Sequence, residues 1–260
     1  LFAAVTRDGV QAVQIGAWPA PYGITLVADL LSAVLVLVAA GIGLAVAVYA
    51  CAEVEDEALA SGFFPVLHVL LLGVCGAFLT GDLFNLYVWF EVLLLASFVL
   101  LGSAGGRRAL TGGVAYVALN LLASAFFLVG VGLLYGTLGS LNLADLAVKL
   151  GDPDAAAATR PAAMLLLVAF GIKAGLFPVF FWLPASYPAP GFAVSALFAG
   201  LLTKVGVYAL LRVFTVLFPV DEGLGPLFAF LAATTMASGV LAAASQGHVR
   251  RILSFHIVSQ

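Results

Sequence analysis

Charged side chains are scarce in this sequence, and cysteines almost absent. Of its 260 residues only 9% are charged and 64% are hydrophobic, whereas a soluble domain carries about 25% charged residues. Such a chain has too few charged residues to cover a water-exposed surface, so most of its surface must face lipid. The 10 basic and 13 acidic residues form no basic run, and we therefore expect no nucleic-acid partner.

The cysteines and glycines also argue against bound cofactors. Cys51 and Cys75 do not form a C-x-x-C motif, so the sequence predicts no zinc site, iron–sulfur cluster or disulfide framework. The Gly-x-Gly patterns at 41–43 and 130–132 lie inside apolar helices, without the preceding strand that a dinucleotide site requires. No Walker motif is present. We expect no cofactor, no metal, and no redox chemistry by this chain alone.

Long apolar segments divide the chain in the manner of a polytopic membrane protein. A transmembrane helix needs about 20 mostly apolar residues. We predict spans at 24–50, 62–80, 83–102, 110–136, 161–183, 192–218 and 224–246, and an eighth that begins near Arg251. Residues 1–260 are therefore expected to form a single all-α transmembrane domain of about 7–8 helices. We place it in the cell inner membrane, as the central part of a longer chain.

Prolines mark one predicted span as broken. Pro178 and Pro184 lie at the end of the span 161–183, and two further prolines follow in the connector 186–191. A proline inside a helix removes a backbone hydrogen bond. Irregular backbone is stable at membrane depth only where it is buried in protein or lines a wet cavity. The sequence therefore predicts a helix break at Pro178 and Pro184, beside a pathway.

Three ionisable residues, Glu91, Lys173 and Lys204, lie near the middle of predicted spans. A charge at this depth costs several kcal/mol, so it needs a partner or a function. Burial disfavours the charged form of a lysine, and a nearby carboxylate favours it again. Glu91 and Lys173 could therefore switch protonation together. One glutamate does not account for two buried lysines, which favours a hydrated proton relay that includes Lys204.

Structural roles stay open for each of these residues. Glu91 could be a neutral carboxyl group, Lys173 its static ion-pair partner, and Lys204 a contact to the carbonyls of a broken helix. His68 and His256 are further relay candidates, because imidazole titrates near neutral pH. A lone histidine on a helix is equally often a packing residue.

Several stretches around these residues resemble one family of membrane proteins. They read FNLYVWFE at 84–91, GIKAGLFP at 171–178, FWLP at 181–184 and LTKVGVY at 202–208. These stretches resemble the antiporter-like proton-translocating subunits shared by respiratory complex I, membrane-bound hydrogenases and Mrp-type multisubunit cation/proton antiporters. WPAPYGI at 18–24, FWLPASYP at 181–188 and RILSFHI at 251–257 are most similar to the D-type subunits of the Mrp antiporters.

The resemblance implies a transporter subunit and not an enzyme. It assigns Glu91 and Lys173 to the family's carboxylate–lysine pair, and Lys204 to the next lysine on a hydrophilic axis. The implied function is that of a proton-conducting subunit of an antiporter for Na+ or another monovalent cation. Its partners would be the other subunits of the complex, protons, the cation and the lipid bilayer.

Two alternatives to this function remain. The first is a proton-pumping membrane-arm subunit of a complex I-type NADH:quinone oxidoreductase or of a membrane-bound hydrogenase. The same residues would act there, driven by redox centres on other chains, so sequence chemistry does not separate it from the antiporter. The second is a remnant with structure but no transport.

Overall fold

The protein is predominantly helical. The computed structural model describes residues 1–60, 62–103, 106–219 and 223–260, with the side chains of all but 57 and 106–110. In chain order the helices are α1 Phe2–Asp8, α2 Leu30–Glu53, α3 Asp56–Ala60, α4 Phe63–Leu79, α5 Leu83–Gly102, α6 Gly106–Leu138, α7 Leu143–Lys149, α8 Pro153–Ala158, α9 Arg160–Ala174, α10 Trp182–Ser186, α11 Phe192–Leu197, α12 Thr203–Arg212, α13 Leu224–Ala244 and α14 Val249–Ser259.

The long apolar helices make the chain a multi-pass membrane protein, which confirms the predicted fold class. Among the described residues, five segments are long and apolar enough to cross a bilayer: Leu30–Glu53, Leu83–Gly102, Thr111–Leu138, Phe192–Leu217 and Leu224–Ala244. The shorter apolar helix α4 lies at the predicted span 62–80. The segment 192–217 is one continuous rod, in which α11 and α12 alternate with the π-helical stretches Phe198–Leu202 and Val213–Leu217.

The first span begins later than the sequence predicts. Residues 25–28 belong to a β-hairpin, in which strand β1 (Gln11–Gln14) pairs antiparallel with strand β2 (Thr25–Ala28) around a short 3₁₀ turn. Asp29 then caps α2, because its side chain accepts a hydrogen bond from the backbone N–H of Ser32. The apolar residues of β2 extend the hydrophobic run, so the pattern alone does not separate strand from helix.

The predicted span 161–183 ends before its prolines. Helix α9 stops at Ala174 because Gly175 takes the left-handed conformation, at a φ of 81°, that ends many helices. Pro178 lies in the irregular segment that follows. Pro184 does not break a helix: it lies in the first turn of α10, where a backbone N–H would have no helical partner. The break therefore runs from Gly175 to Phe181.

Aromatic rings fill the interior between α5, α6 and α9. The rings of Phe90, Phe127 and Phe170, one from each helix, are buried and in mutual contact, with centroids 4.8 to 6.1 Å apart. On its other side α9 packs against α12, whose Gly206 faces the backbone of Lys173 and Ala174 so closely that a Cβ there would overlap it. The end of α9 is thus enclosed by its neighbours.

Candidate proton pathway and family membership

Glu91 projects from the middle of α5 towards α6. It is half-buried, and its Oε1 accepts a hydrogen bond of 2.5 Å from the hydroxyl of Ser124, on α6. The start of α5 is positioned by Asp82, which caps the helix by accepting from the N–H of Asn85. Glu91 is the one charged residue of α5, whose side chains are otherwise mostly apolar.

Lys173 lies in the last turn of α9 and is only 3% exposed. Its Nζ donates to the same Ser124 hydroxyl at 3.2 Å and lies 4.8 Å from the centre of the Phe90 ring. The negative face of that ring attracts a cation, which helps to hold the ammonium group in this position.

The three side chains form one hydrogen-bonded chain, Glu91–Ser124–Lys173, across three helices. The Glu91 carboxylate and the Lys173 ammonium group, both of which the structure describes, make no direct ion pair with each other. The Ser124 hydroxyl joins them instead.

A small cavity adjoins Lys173. Its volume of about 10 Å³ has room for roughly one water molecule. The lining residues are Phe90, Leu93, Leu94, Tyr116, Asn120, Lys173, Trp182 and Leu202. Leu202 belongs to the π-helical stretch before Lys204, whereas Lys204 itself does not line the cavity.

Lys204 stands immediately beyond that π-helical stretch, in the first turn of α12. It is half-buried, and its Nζ donates to the carbonyl oxygen of Ala199 at 3.2 Å. Its neighbour Thr203 has a buried hydroxyl without a hydrogen-bond partner among the described residues. The structure does not place Lys204 in contact with Lys173. A proton passing between them would need water, which the cavity and this unpaired hydroxyl could hold.

The two histidines lie outside this cluster. His68 is exposed on α4, where its Nδ1 is 2.7 Å from the carbonyl oxygen of Phe64 in its own helix. His256 is exposed on α14. In the structure, neither imidazole makes a hydrogen bond to Glu91, Lys173 or Lys204.

Hydrogen bonds anchor the irregular segment that follows α9. The indole Nε1 of buried Trp182 donates to the carbonyl oxygen of Ile172 at 3.0 Å, and the same oxygen also accepts the backbone N–H of Gly175, which caps the helix. The backbone N–H of Phe177 donates to the hydroxyl of Thr235, on α13, at 2.9 Å. The irregular backbone is thus anchored in protein, as its position in a membrane requires.

Sequence reasoning missed the polar residues of α6. Tyr116, Asn120 and Ser124 recur every four residues, the spacing of one helix face. All three are buried towards α5 and α9. This i, i+4, i+8 pattern of polar residues in an apolar helix is the signal that could have found them.

A second polar network lies towards the C-terminal end of the helical segment 192–217. The guanidinium group of Arg212 pairs with the carboxylate of Asp29 at 2.5 Å, and its Nε donates to the hydroxyl of Tyr208 at 3.0 Å. That hydroxyl in turn donates to the carbonyl oxygen of Phe78 at 2.7 Å. The network ties the start of α2 and the end of α4 to α12.

No metal site accompanies these networks in the described part of the chain, because no three His, Cys, Asp or Glu side chains come together there.

Comparison with known proteins gives the family. The model of the family described as NADH:quinone oxidoreductase/Mrp antiporter, TM, matches residues 80–260. The D-type subunit of a Na(+)/H(+) antiporter from Alkalihalophilus pseudofirmus is 46% identical over 257 residues, which cover 98% of this chain and 52% of that protein. The chain thus spans about half the length of this curated relative.

Solved structures share the fold. The Mrp complex from Dietzia sp. DQ12-45-1b contains a chain that superposes with a TM-score of 0.89 at 35% identity, over 99% of this chain and 48% of that one. The membrane-bound sulfane sulfur reductase, an archaeal respiratory membrane complex, gives a TM-score of 0.89 at 29% identity, over 99% and 53%. These matches confirm the resemblance seen in the motifs, and the chain belongs to the NADH:quinone oxidoreductase/Mrp antiporter family of transmembrane proteins.

Proposed function

We propose that this chain provides the proton path of a D-type subunit in a multisubunit monovalent cation/proton antiporter, with Na+ as the cation. The observation that carries the proposal is the buried chain Glu91–Ser124–Lys173, beside a helix that ends inside the membrane. The name of the A. pseudofirmus relative supplies the cation. The other subunits of such a complex would be the partners.

The proposed mechanism rests on the electrostatic coupling of Glu91 and Lys173. Their hydrogen bonds of 2.5 and 3.2 Å to the Ser124 oxygen put Oε1 of Glu91 and Nζ of Lys173 at most 5.7 Å apart. A unit charge at that distance changes the energy of a charged group by roughly 3 kcal/mol at an effective dielectric constant of about 20. A proton that neutralises Glu91 therefore destabilises the ammonium form of Lys173 by that amount. This corresponds to about a hundredfold change in its protonation equilibrium. Lys173 would then pass a proton through water to Lys204.

Everted membrane vesicles test this function. The full-length protein is expressed with its neighbouring subunits in an antiporter-deficient host, and a fluorescent reporter follows the pH gradient after Na+ is added. We expect Na+ to collapse the gradient in wild-type vesicles. Glu91→Gln and Lys173→Ala should abolish that collapse without abolishing assembly, because each removes one member of the coupled pair.

Glu55→Gln is the matched control, since Glu55 is an exposed carboxylate between α2 and α3. Its exchange rate should equal that of the wild type. Unchanged exchange in Glu91→Gln would contradict the proposed path.

A second candidate function is a proton-pumping arm of a respiratory complex. It is favoured by the superposition on the archaeal respiratory complex, which is as close as that on the Mrp complex. In this case Na+ would have no effect, and a quinone-linked electron donor would build a gradient that depends on this subunit. The same vesicle preparation measures both.

A further inference from the structure

We propose that the Ser124 hydroxyl relays the proton between Glu91 and Lys173, an inference that rests on the proton path proposed above. Its Oγ lies 2.5 Å from Oε1 of Glu91 and 3.2 Å from Nζ of Lys173, and the residue is 5% exposed. The two titratable groups, both within the described residues, make no direct contact. A proton that moves between them by the shortest route therefore crosses this oxygen.

The bonding of Ser124 differs from that of other buried hydroxyls on these helices. The Ser186 hydroxyl, on α10, donates to the carbonyl oxygen of Trp182 at 2.8 Å. The Ser97 hydroxyl, on α5, donates to that of Leu94 at 2.7 Å and also lies 2.6 Å from the hydroxyl of Tyr116, whereas no bond to its own backbone accompanies the contacts of Ser124. Serine in a helix commonly satisfies its hydroxyl within its own backbone. Ser124 instead bonds to side chains of two other helices. Its hydroxyl is oriented by the two groups that would exchange the proton.

A hydroxyl group can perform this step without another reactant, because it offers one donor and two acceptor sites. The transfer begins with Glu91 protonated and Lys173 neutral. The O–H bond of Glu91 breaks as a new O–H bond forms on Ser124. At the same time the original O–H bond of Ser124 breaks and an N–H bond forms on Lys173. Glu91 ends as a carboxylate, Lys173 as an ammonium ion, and Ser124 as a neutral hydroxyl.

A carboxylate at Glu91 and an ammonium group at Lys173 give the two contacts of Ser124 the hydrogen-bond directions of that final arrangement. Ser124 donates to Glu91, and Lys173 donates to Ser124. Before the next proton crosses, the hydroxyl must rotate so that it accepts from Glu91 and donates to Lys173. Rotation of a single O–H bond is sufficient, and no helix has to move.

Three substitutions at Ser124 test the relay in the full complex. Ser124→Ala removes the hydroxyl, and we expect it to slow the initial rate of proton exchange by about tenfold or more, the scale of a lost positioned proton donor. Ser124→Thr keeps the hydroxyl and should stay within about threefold of the wild type. Ser124→Gly leaves the space of the side chain empty, where a water molecule can join the two groups. Its rate should therefore lie above that of the alanine variant.

Ser186→Ala is the control, because it removes a buried hydroxyl that is bonded within its own helix. It should leave the rate unchanged, and native gels should show that every variant assembles. Cation-dependent exchange in Ser124→Ala at the wild-type rate would overturn the relay and leave the antiporter function standing. Proton flux that ignores cations, but is driven by a quinone-linked donor and depends on the Ser124 hydroxyl, would overturn the antiporter function and support the relay.

Discussion

A methyl group at Gly206 should displace the end of α9 and slow proton exchange. An ideal Cβ at this position would lie 2.6 Å from the backbone nitrogen of Ala174 and 2.8 Å from the carbonyl carbon of Lys173. Non-bonded heavy atoms have their optimal separation at about 3.5–4.0 Å, so the two helices must separate by about 1 Å. Both contacts are with backbone atoms, and no change of side-chain rotamer relieves them.

The effect on transport should exceed the effect on stability. Overpacking of this kind costs about 1–3 kcal/mol, while alanine in place of glycine in a helix gains about 1 kcal/mol. We therefore expect Gly206→Ala to assemble, with at most about 2 kcal/mol of lost stability. The displaced backbone carries Lys173, however, and a misplacement of about 1 Å can slow a reaction roughly a hundredfold.

The assay compares Gly206→Ala with Gly132→Ala in the same vesicles. At Gly132, on α6, a Cβ would meet no atom within 4 Å, so this variant carries the same chemical change without the contact. We expect exchange to be about 10- to 100-fold slower in the first variant and unchanged in the second. Equal rates in the two variants would refute the reasoning that the α9–α12 contact positions Lys173.

Two further predictions concern the ends of the spans. Glu53 accepts the backbone N–H groups of Phe192 and Ala193 at 2.5 and 2.6 Å, so Glu53→Ala should cost about 1–2 kcal/mol in thermal unfolding, and an unchanged unfolding temperature would contradict this capping role. Burial raises the pKa of Asp29, but hydrogen bonds, chiefly from Arg212, outweigh burial and leave the pKa below its usual value. The stabilisation is then present above about pH 4 and is lost as the pH falls through the lower folded-state pKa. Asp29→Asn should therefore be less stable than the wild type at pH 7, and this difference should shrink as the pH falls below about 4, so a difference that does not change with pH would contradict the assignment.

The sequence predicted the spans and the coupled pair for one physical reason. Apolar runs of about 20 residues are read directly from composition, and a charge inside such a run is rare because it is costly. The spans that include Glu91 and Lys204 accordingly lie close to their predicted limits, at Leu83–Gly102 and Phe192–Leu217. The roles of both residues stay proposals, which the variants above address.

Ser124 and the helix break show what a single sequence does not reveal. Serine is tolerated throughout transmembrane helices, because its hydroxyl can bond to its own backbone. Only the packing of α6 against α5 and α9 shows that Ser124 bonds elsewhere. The break was expected at the prolines, yet α9 ends earlier at Gly175, whose freedom to adopt a positive φ has no signature in hydropathy. The β-hairpin was missed because residues 25–28 are as apolar as the helix that follows.

The hydrogen bond between Phe177 and Thr235 has a consequence for biogenesis. The two residues are 58 positions apart, so at about 5–20 residues per second the ribosome needs roughly 3–12 s to supply the acceptor after it has made the donor. During that interval the unpaired N–H would cost several kcal/mol in hydrocarbon. We therefore expect the broken helix to complete its insertion only after α13 arrives and accepts this hydrogen bond.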